Sequence, residues 1–356
     1  MSVPSTPSTM YASVLTGPKR VELESRPVPS PGAGCVLIKV TAVGVCGSDT
    51  HFFESGAVGD IVVRDHVVLG HETAGEIVAV GAGVDASRVG TRVAVEPQTP
   101  CRACRFCKRG AYHLCPSIRF FGAWPVDGSF AEFVIVDADF AHEIPSAMTD
   151  EQAALAEPVS VAIHAARRAG VTAGARVLIT GAGPIGVLTA QVAKAFGAVE
   201  VVISDPIAKR RDFARARGAD EVIDSAGDGL ARFDQYFDIY IDASGSAQAI
   251  CAALPTIVRG GIAVLVGMGG NQLDVPVAML QHREITLTGT FRYVNTWPTA
   301  IDLISRGIVD TSGIVTGRYG LDGTEEALMK AKTDPEAIKT MIIPALTVSD
   351  SERRRG

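Results

Sequence analysis

The chain is short of aromatic side chains and of charge. Phe, Trp and Tyr make up 6% of its 356 residues, with two tryptophans, and Asp, Glu, Lys and Arg make up 20%. That composition excludes a solvated disordered tail and a charge-laced coiled coil. There is no basic excess either. Lys plus Arg is 33 and Asp plus Glu is 39, a formal charge of −6, so the electrostatic footprint of a nucleic-acid binder is missing. No run of roughly 18 apolar residues occurs, so no membrane partner is expected. The opening MSVPSTPSTM has neither the basic nor the apolar segment of a secretory leader, and a cytoplasmic chain with reduced thiols is expected. What is present is 47% apolar side chain, enough for a well-filled core. At about 100–200 residues per domain, the length predicts two domains.

Residues 1–10 are rich in Ser, Thr and Pro, and 349–356 are polar and charged. Both ends are expected to be disordered. From Tyr11 to Phe140 the apolar runs are short and broken by Gly, Pro and Asp, as at 36–42, 66–69, 75–80, 92–95 and 130–136. This is the pattern of a unit made of short strands. A capping signal at Thr149 to Glu151 opens helical sequence.

Beyond it the pattern changes. A β-rich run at 176–180 ends in glycines, and 184–196 carries Ile185, Leu188, Val192 and Phe196 at helical spacing. A strand at 201–204 and a basic, alanine-rich helix at 208–217 follow. The runs 237–241, 262–266 and 285–287 read as further buried strands. Strands alternating with helices predict an α/β domain with a doubly wound parallel sheet. Helical stretches at 298–306 and 324–333 suit a chain that packs back on its first unit.

Gly181-Ala182-Gly183-Pro184-Ile185-Gly186 is a G-x-G-x-x-G string. Alone it is a weak signal, but here it follows a strand and opens a helix. Gly181 makes the tight turn, Gly183 lets backbone approach a pyrophosphate, and Gly186 lets helix and strand pack closely. The helix N-terminus offers N–H groups to the phosphates, and Pro184 loses nothing in the first turn. Asp205 ends the next strand, about 20 residues on, where an acid accepts from a ribose 2′-hydroxyl and repels a 2′-phosphate. NAD is therefore expected over NADP. Arg210 lies on the adenine side, or less favourably accommodates a 2′-phosphate. The plainer reading of Asp205 is a strand-end cap.

Four of the seven cysteines fall within fifteen residues: Cys101, Cys104, Cys107 and Cys115. Four thiolates fill every position of a tetrahedral zinc, so this site reads as closed and structural. Arg102, Arg105, Lys108 and Arg109 surround it, and their charge is expected to offset the tetrathiolate. An iron–sulfur cluster also takes four cysteines, but nothing else here points to electron transfer. A second set is dispersed: Cys46 in Gly44-Val45-Cys46-Gly47-Ser48-Asp49, His71 and Glu72 in Gly70-His71-Glu72, and Glu157 in Glu157-Pro158-Val159-Ser160. A thiolate, an imidazole and a carboxylate can leave one zinc position open. Taken singly, Cys46 suits a core thiol and His71 a satisfied polar group. Spacing does not link them.

On these motifs the chain resembles the zinc-dependent medium-chain dehydrogenases, in their polyol (sorbitol/xylitol) branch. The Glu157 to His164 stretch and Phe291-Arg292-Tyr293-Val294-Asn295-Thr296-Trp297-Pro298 carry the polyol likeness, and the resemblance runs from about Tyr11 to Pro344. It implies a GroES-like, β-rich catalytic domain over 1–159 and 296–356, with a Rossmann domain over 160–295 inserted. Cys46, His71 and Glu72 would hold a catalytic zinc, with Glu157 on the metal or on its water; which glutamate ligates directly stays open. Ser48 and His51 match proton-relay positions. Phe52, Phe121, Glu157, Arg292 and Tyr293 match substrate positions. Val266, Gly267, Met268, Thr290, Phe291 and Arg292 join the glycine loop, Asp205 and Arg210 at the cofactor.

The resemblance further implies about two zinc ions per chain, one open and one closed, and a homodimer or homotetramer built through the dinucleotide domain. The expected reaction is reversible oxidation of a polyol hydroxyl to a ketose, with hydride passing to NAD. One departure stands out. Phe52 replaces a tyrosine common in relatives, and one hydroxyl at a buried polar site sorts substrates by roughly 1–3 kcal/mol. Trp124 also stands where relatives carry smaller residues. The rivals are a zinc dehydrogenase for a threonine-type amino-alcohol or a simple secondary alcohol, and a non-catalytic NAD-binding scaffold.

Overall fold

The computed structural model describes residues 6–270 and 272–348. The disorder expected of 1–5 and 349–356 lies outside the described residues. Thr9 and Met10, expected to be disordered too, instead open the strand Thr9–Gly17, which pairs along its length with Arg20–Pro27. Two compact units emerge: 1–157 with 311–356, and 158–310. The return crossing thus lies at Asp310/Thr311 and not at 296. The helix Trp297–Ser305 buries Trp297, Ala300, Ile301 and Ile304 and goes with the second unit. There Gln191 clamps Asp310 from both sides, Nε2 donating to its carbonyl at 3.0 Å and Oε1 accepting from its N–H at 2.7 Å. The amphipathic pattern shows in the sequence, but which sheet it covers does not.

The first unit is built on the strand Cys35–Gly44, whose Val- and Ile-rich face is buried. It pairs antiparallel with Glu72–Val80, Phe133–Asp137 and Lys339–Ile342. Arg92–Val95 and Ala141–Glu143 extend the sheet on one side, and Val315–Tyr319 lies outermost on the other. Val36, Ile38, Ile77, Val93, Val95 and Phe130 form its core. The unit is not purely β. The helix Gly47–Ser55 interrupts it, in a stretch too short and polar to show a helical stripe.

The second unit has a six-stranded sheet, parallel throughout, in the order Glu221–Asp224, Glu200–Asp205, Arg176–Thr180, Phe237–Asp242, Ile257–Leu265, Thr286–Gly289. The first strand in sequence is central, and the chain winds outward from it in both directions. That makes a topological switch point between Arg176–Thr180 and Phe237–Asp242, the place where doubly wound sheets bind nucleotides. The helix Pro184–Ala195 is buried from Gly186 through Ala193. The edge strand Glu221–Asp224 was not legible, since its acidic residues hide the apolar alternation. No helix among the described residues is long and apolar enough to cross a membrane.

Candidate functional site

Strand Cys35–Gly44 ends in a turn whose Cys46 caps the helix Gly47–Ser55 in extended conformation (φ −92°, ψ 156°). Asp49, at the third helical position, turns back so that Oδ2 accepts from the Cys46 N–H at 2.9 Å. Its Oδ1 accepts from the Gly70 N–H at 3.3 Å and faces His71 Nδ1 at 3.5 Å. Asp49 is fully buried. One carboxylate thus brings together the Cys46 turn and the Gly70-His71-Glu72 turn, which the sequence could not join. A carboxylate facing one ring nitrogen is the kind of partner that orients a metal-binding histidine.

The ligand atoms of Cys46, His71 and Glu72 all lie within 4.8 Å of one another. His71 and Glu72 are buried. Glu72 accepts from Lys339 Nζ at 2.5 Å through Oε1, while its Oε2 is buried with no hydrogen-bond partner among the described residues. The chemistry of the set fits a cation. Burial opposes a charged His71, yet Asp49 and then Cys46 hold its pKa well above the usual imidazole value. A thiolate, an imidazole and a carboxylate are a donor set that zinc accepts. Glu157 is buried and close enough for its charge to act on Lys339, but its carboxylate is not in the three-residue group. Glu72 is the glutamate that the fold brings to the cysteine and histidine.

Ser48 and His51 lie one turn apart on the helix Gly47–Ser55, Ser48 half-buried and His51 exposed. Phe52 and Phe121 are buried in the first unit's core. Trp124 is partly buried against that core, with the Arg64 guanidinium 5.8 Å from its ring centre.

The second metal group is the cysteine lobe. The sulfurs of Cys101, Cys104, Cys107 and Cys115 also lie within 4.8 Å of one another. Backbone N–H groups aim at them: Cys104 donates to Cys101 Sγ at 3.3 Å, Cys107 to Cys104 Sγ at 3.5 Å, and Cys101 to Cys115 Sγ at 3.4 Å. N–H groups of Ala103 and Cys104 bring the Cys101 thiol down to about 6, whereas burial and the neighbouring thiols push Cys107 up to about 12. Thiols crowded this closely resist ionising together unless a cation joins them. The basic residues do not all serve that charge. Arg102, with φ 60°, reaches away to Asp139 and Asp137 at 2.7–2.9 Å, which fastens the lobe to the strand Phe133–Asp137. Arg105 and Arg109 stack on the Phe106 ring at 4.7 and 4.8 Å.

In the second unit, Gly181 has φ +93°, closed to most side chains. A Cβ on Gly186 would lie 1.8 Å from the Gly181 carbonyl oxygen, so helix and turn touch through backbone. A Cβ on Gly183 would meet nothing within 4 Å, which leaves the space a pyrophosphate needs. Pro184 and Ile185 begin the helix. Asp205 is buried. Its oxygens accept from the Ala182 N–H and the Ile207 N–H, each at 2.8 Å, so it tethers the glycine turn as well as keeping lone pairs for a ribose. Arg210 is half-buried on the helix Ala208–Arg215.

Val266 and Gly267 both donate to the Asp242 carbonyl, at 2.9 and 3.0 Å. Thr290 donates to the Leu265 carbonyl at 3.0 Å. All of these cap the carboxyl ends of the parallel strands. Met268 and Phe291 stand exposed there. Arg292 (φ 51°) stacks on Phe291 at 4.6 Å. Tyr293 is fully buried, edge-on to Trp297 at 5.9 Å. Three contributors escaped sequence reading: Asp49, visible only as part of a motif; Lys339; and Asp242, whose carboxylate gathers Thr180, Ser244 and Gly245 at the switch point.

Comparison with known proteins matches residues 32–146 to the alcohol dehydrogenase GroES-like domain and residues 184–306 to the zinc-binding dehydrogenase domain. Sorbitol dehydrogenase of Bacillus subtilis (strain 168) is 40% identical over 346 residues, 95% of this chain and 98% of that protein. An Escherichia coli oxidoreductase of unknown specificity, involved in membrane biogenesis, superposes with a TM-score of 0.90 at 34% identity, covering 94% of this chain and 99% of that one. L-idonate 5-dehydrogenase of Escherichia coli gives 0.88 at 31% identity, with 94% and 98% covered.

Proposed function

The chain belongs to the zinc-dependent medium-chain dehydrogenases, in their polyol branch, and from that premise we propose how its own residues carry the reaction. It is an NAD-linked oxidoreductase that converts a secondary hydroxyl of a sorbitol-, xylitol- or arabitol-type polyol to a ketone, reversibly. The observation that carries the reading is the half-buried Cys46 with the buried His71 and Glu72, their ligand atoms inside 4.8 Å, in a chain that also builds a glycine loop with open space at Gly183.

Zinc, when bound, supplies Lewis acidity toward the hydroxyl oxygen, and NAD accepts the hydride. The protein's part is to hold, orient and move a proton. Cys46, His71 and Glu72 hold the metal, with Asp49 fixing the histidine and the Cys46 turn. A zinc held by these three residues would have a position left for the substrate hydroxyl. Glu157 stays close as a second carboxylate for a water or a neighbouring hydroxyl. Ser48 accepts the hydroxyl proton as it passes its own proton on toward His51, which is one turn further and exposed and releases a proton to solvent. Gly181, Gly183 and the helix N-terminus hold the pyrophosphate. Asp205 and Arg210 hold the adenosine end, and Val266, Gly267, Met268, Thr290, Phe291 and Arg292 the rest of the cofactor. Cys101, Cys104, Cys107 and Cys115 hold a closed, structural zinc.

Phe52 favours a second reading of the substrate. Its ring is buried and offers no hydroxyl, so a less polar secondary alcohol loses nothing there. A panel of xylitol, sorbitol, arabitol, threonine and 2-propanol, assayed with metal analysis on one preparation, decides between them. Turnover of a polyol by an enzyme with about two zinc per chain is expected; activity on threonine or 2-propanol alone overturns the polyol reading. The edge strand Thr286–Gly289 pairs on one side only among the described strands, which supports a dimer formed through this sheet. None of the seven cysteines is in a disulfide, which supports a reducing, cytoplasmic location.

A further inference from the structure

Lysine is among the residues least often buried, and a buried one needs a partner. Lys339 begins the strand Lys339–Ile342, whose four residues are all buried, and its side chain is 4% exposed. That strand belongs to the returning segment and pairs antiparallel with Cys35–Gly44, with Met341 opposite Gly44 and Ile342 opposite Val43. The pairing delivers the amine to Glu72, 267 residues away in sequence, where Nζ donates to Oε1 at 2.5 Å. Gly44 completes the cradle. A Cβ there would stand 2.0 Å from Glu72 Oε2 and 3.0 Å from Lys339 Cε.

We propose that Lys339 is a positioning residue of the metal site: it grips one oxygen of Glu72 so that the other, Oε2, is held toward the metal with Cys46 and His71. A ligand carboxylate needs such an anchor, because a free carboxylate loses orientation each time it binds. Swinging Glu72 away would break a fully buried ion pair, which is strongly disfavoured. The inference rests on the metal-site reading above, and its test therefore avoids turnover.

The closed site is left loaded with zinc, and the open site is emptied and titrated with Co2+, whose visible absorption reports ligand geometry. Loss of that signal in Cys46→Ser establishes first that the open site is being read. Lys339→Met keeps the length of the stem and removes the amine. It should weaken Co2+ binding by about 10–100-fold, the range for removing the partner of a metal ligand, and shift the visible band. In a Glu72→Gln background the same substitution should change neither. Tighter binding in Lys339→Met would show that the ammonium acts only as an opposing charge, and an effect of equal size in both backgrounds would show a packing role. Either result, or unchanged affinity, overturns the proposal. If Lys339→Met does not fold, Lys339→Ala, which also removes the donor, is read by the same criteria. A chain that fails on every polyol but passes this test loses the substrate reading and keeps this one.

Discussion

Asp49 Oδ1 stands 3.5 Å from His71 Nδ1 while the other oxygen of the same carboxylate accepts from the Cys46 N–H at 2.9 Å. One fully buried acid therefore ties together two loops that carry two of the proposed metal ligands. Asp49→Asn keeps the shape and removes the charge that favours this arrangement. Zinc affinity of the open site should fall by about 10–100-fold, measured by titrating the apoprotein. Unchanged affinity would show that Asp49 serves only as a helix cap.

Replacing a ligand is harsher. Cys46→Ser or His71→Ala should abolish turnover, lower the zinc content from about two per chain to about one, and leave the far-ultraviolet circular dichroism intact. Neither residue belongs to the apolar core that carries the first unit, so the fold survives. Near-native turnover by either variant would refute the catalytic metal site.

Cys104→Ser tests the other site with the opposite signature. A closed site contributes folding energy and has no place for substrate. Its loss should lower the melting temperature and remove one zinc, while the folded molecules that remain keep their turnover. Chelation should separate the two sites in the same way, since the open zinc leaves first and takes activity with it before stability falls. An unchanged melting temperature and zinc content in Cys104→Ser would remove the structural assignment.

Asp205 is predicted to do two things. Its carboxylate fixes the Ala182 and Ile207 N–H groups and repels a 2′-phosphate. A hydrogen bond to a charged group is worth about 1.5–3 kcal/mol, so Asp205→Ser should narrow the preference for NAD over NADP by about 10–100-fold. Parallel assays with both cofactors read this directly, and a native enzyme that prefers NADP would contradict it.

Much of the dinucleotide unit was legible because its signals are local. The glycine loop sits between a strand and a helix within a dozen residues, where Gly181 is required by its φ of +93° and Gly186 by the close approach of its backbone to the Gly181 carbonyl. The cysteine lobe was legible for the same reason, although the direction of Arg102 was not: the pull of Asp137 and Asp139 comes from outside the lobe. The boundary at Asp310/Thr311 escaped because a helix with an apolar stripe shows that it packs, not against which sheet.

What the sequence by itself determined is the chemistry on offer: two sets of metal-binding side chains, a phosphate-binding turn, and an acid at the end of the second strand. The cysteine lobe, the glycine turn and the acid are written in short spacings that backbone geometry reads directly, whereas the Cys46 and His71-Glu72 set shows only as separate motifs. What only the tertiary structure decided is how the dispersed set becomes a site. Glu72, and not Glu157, joins Cys46 and His71; Asp49 links their loops; Lys339 arrives from the far end of the chain by strand pairing beside Gly44. Such partners leave no trace in spacing, because they are selected by sheet register and by the cost of burying a charge unpaired, and both exist only once the chain has folded.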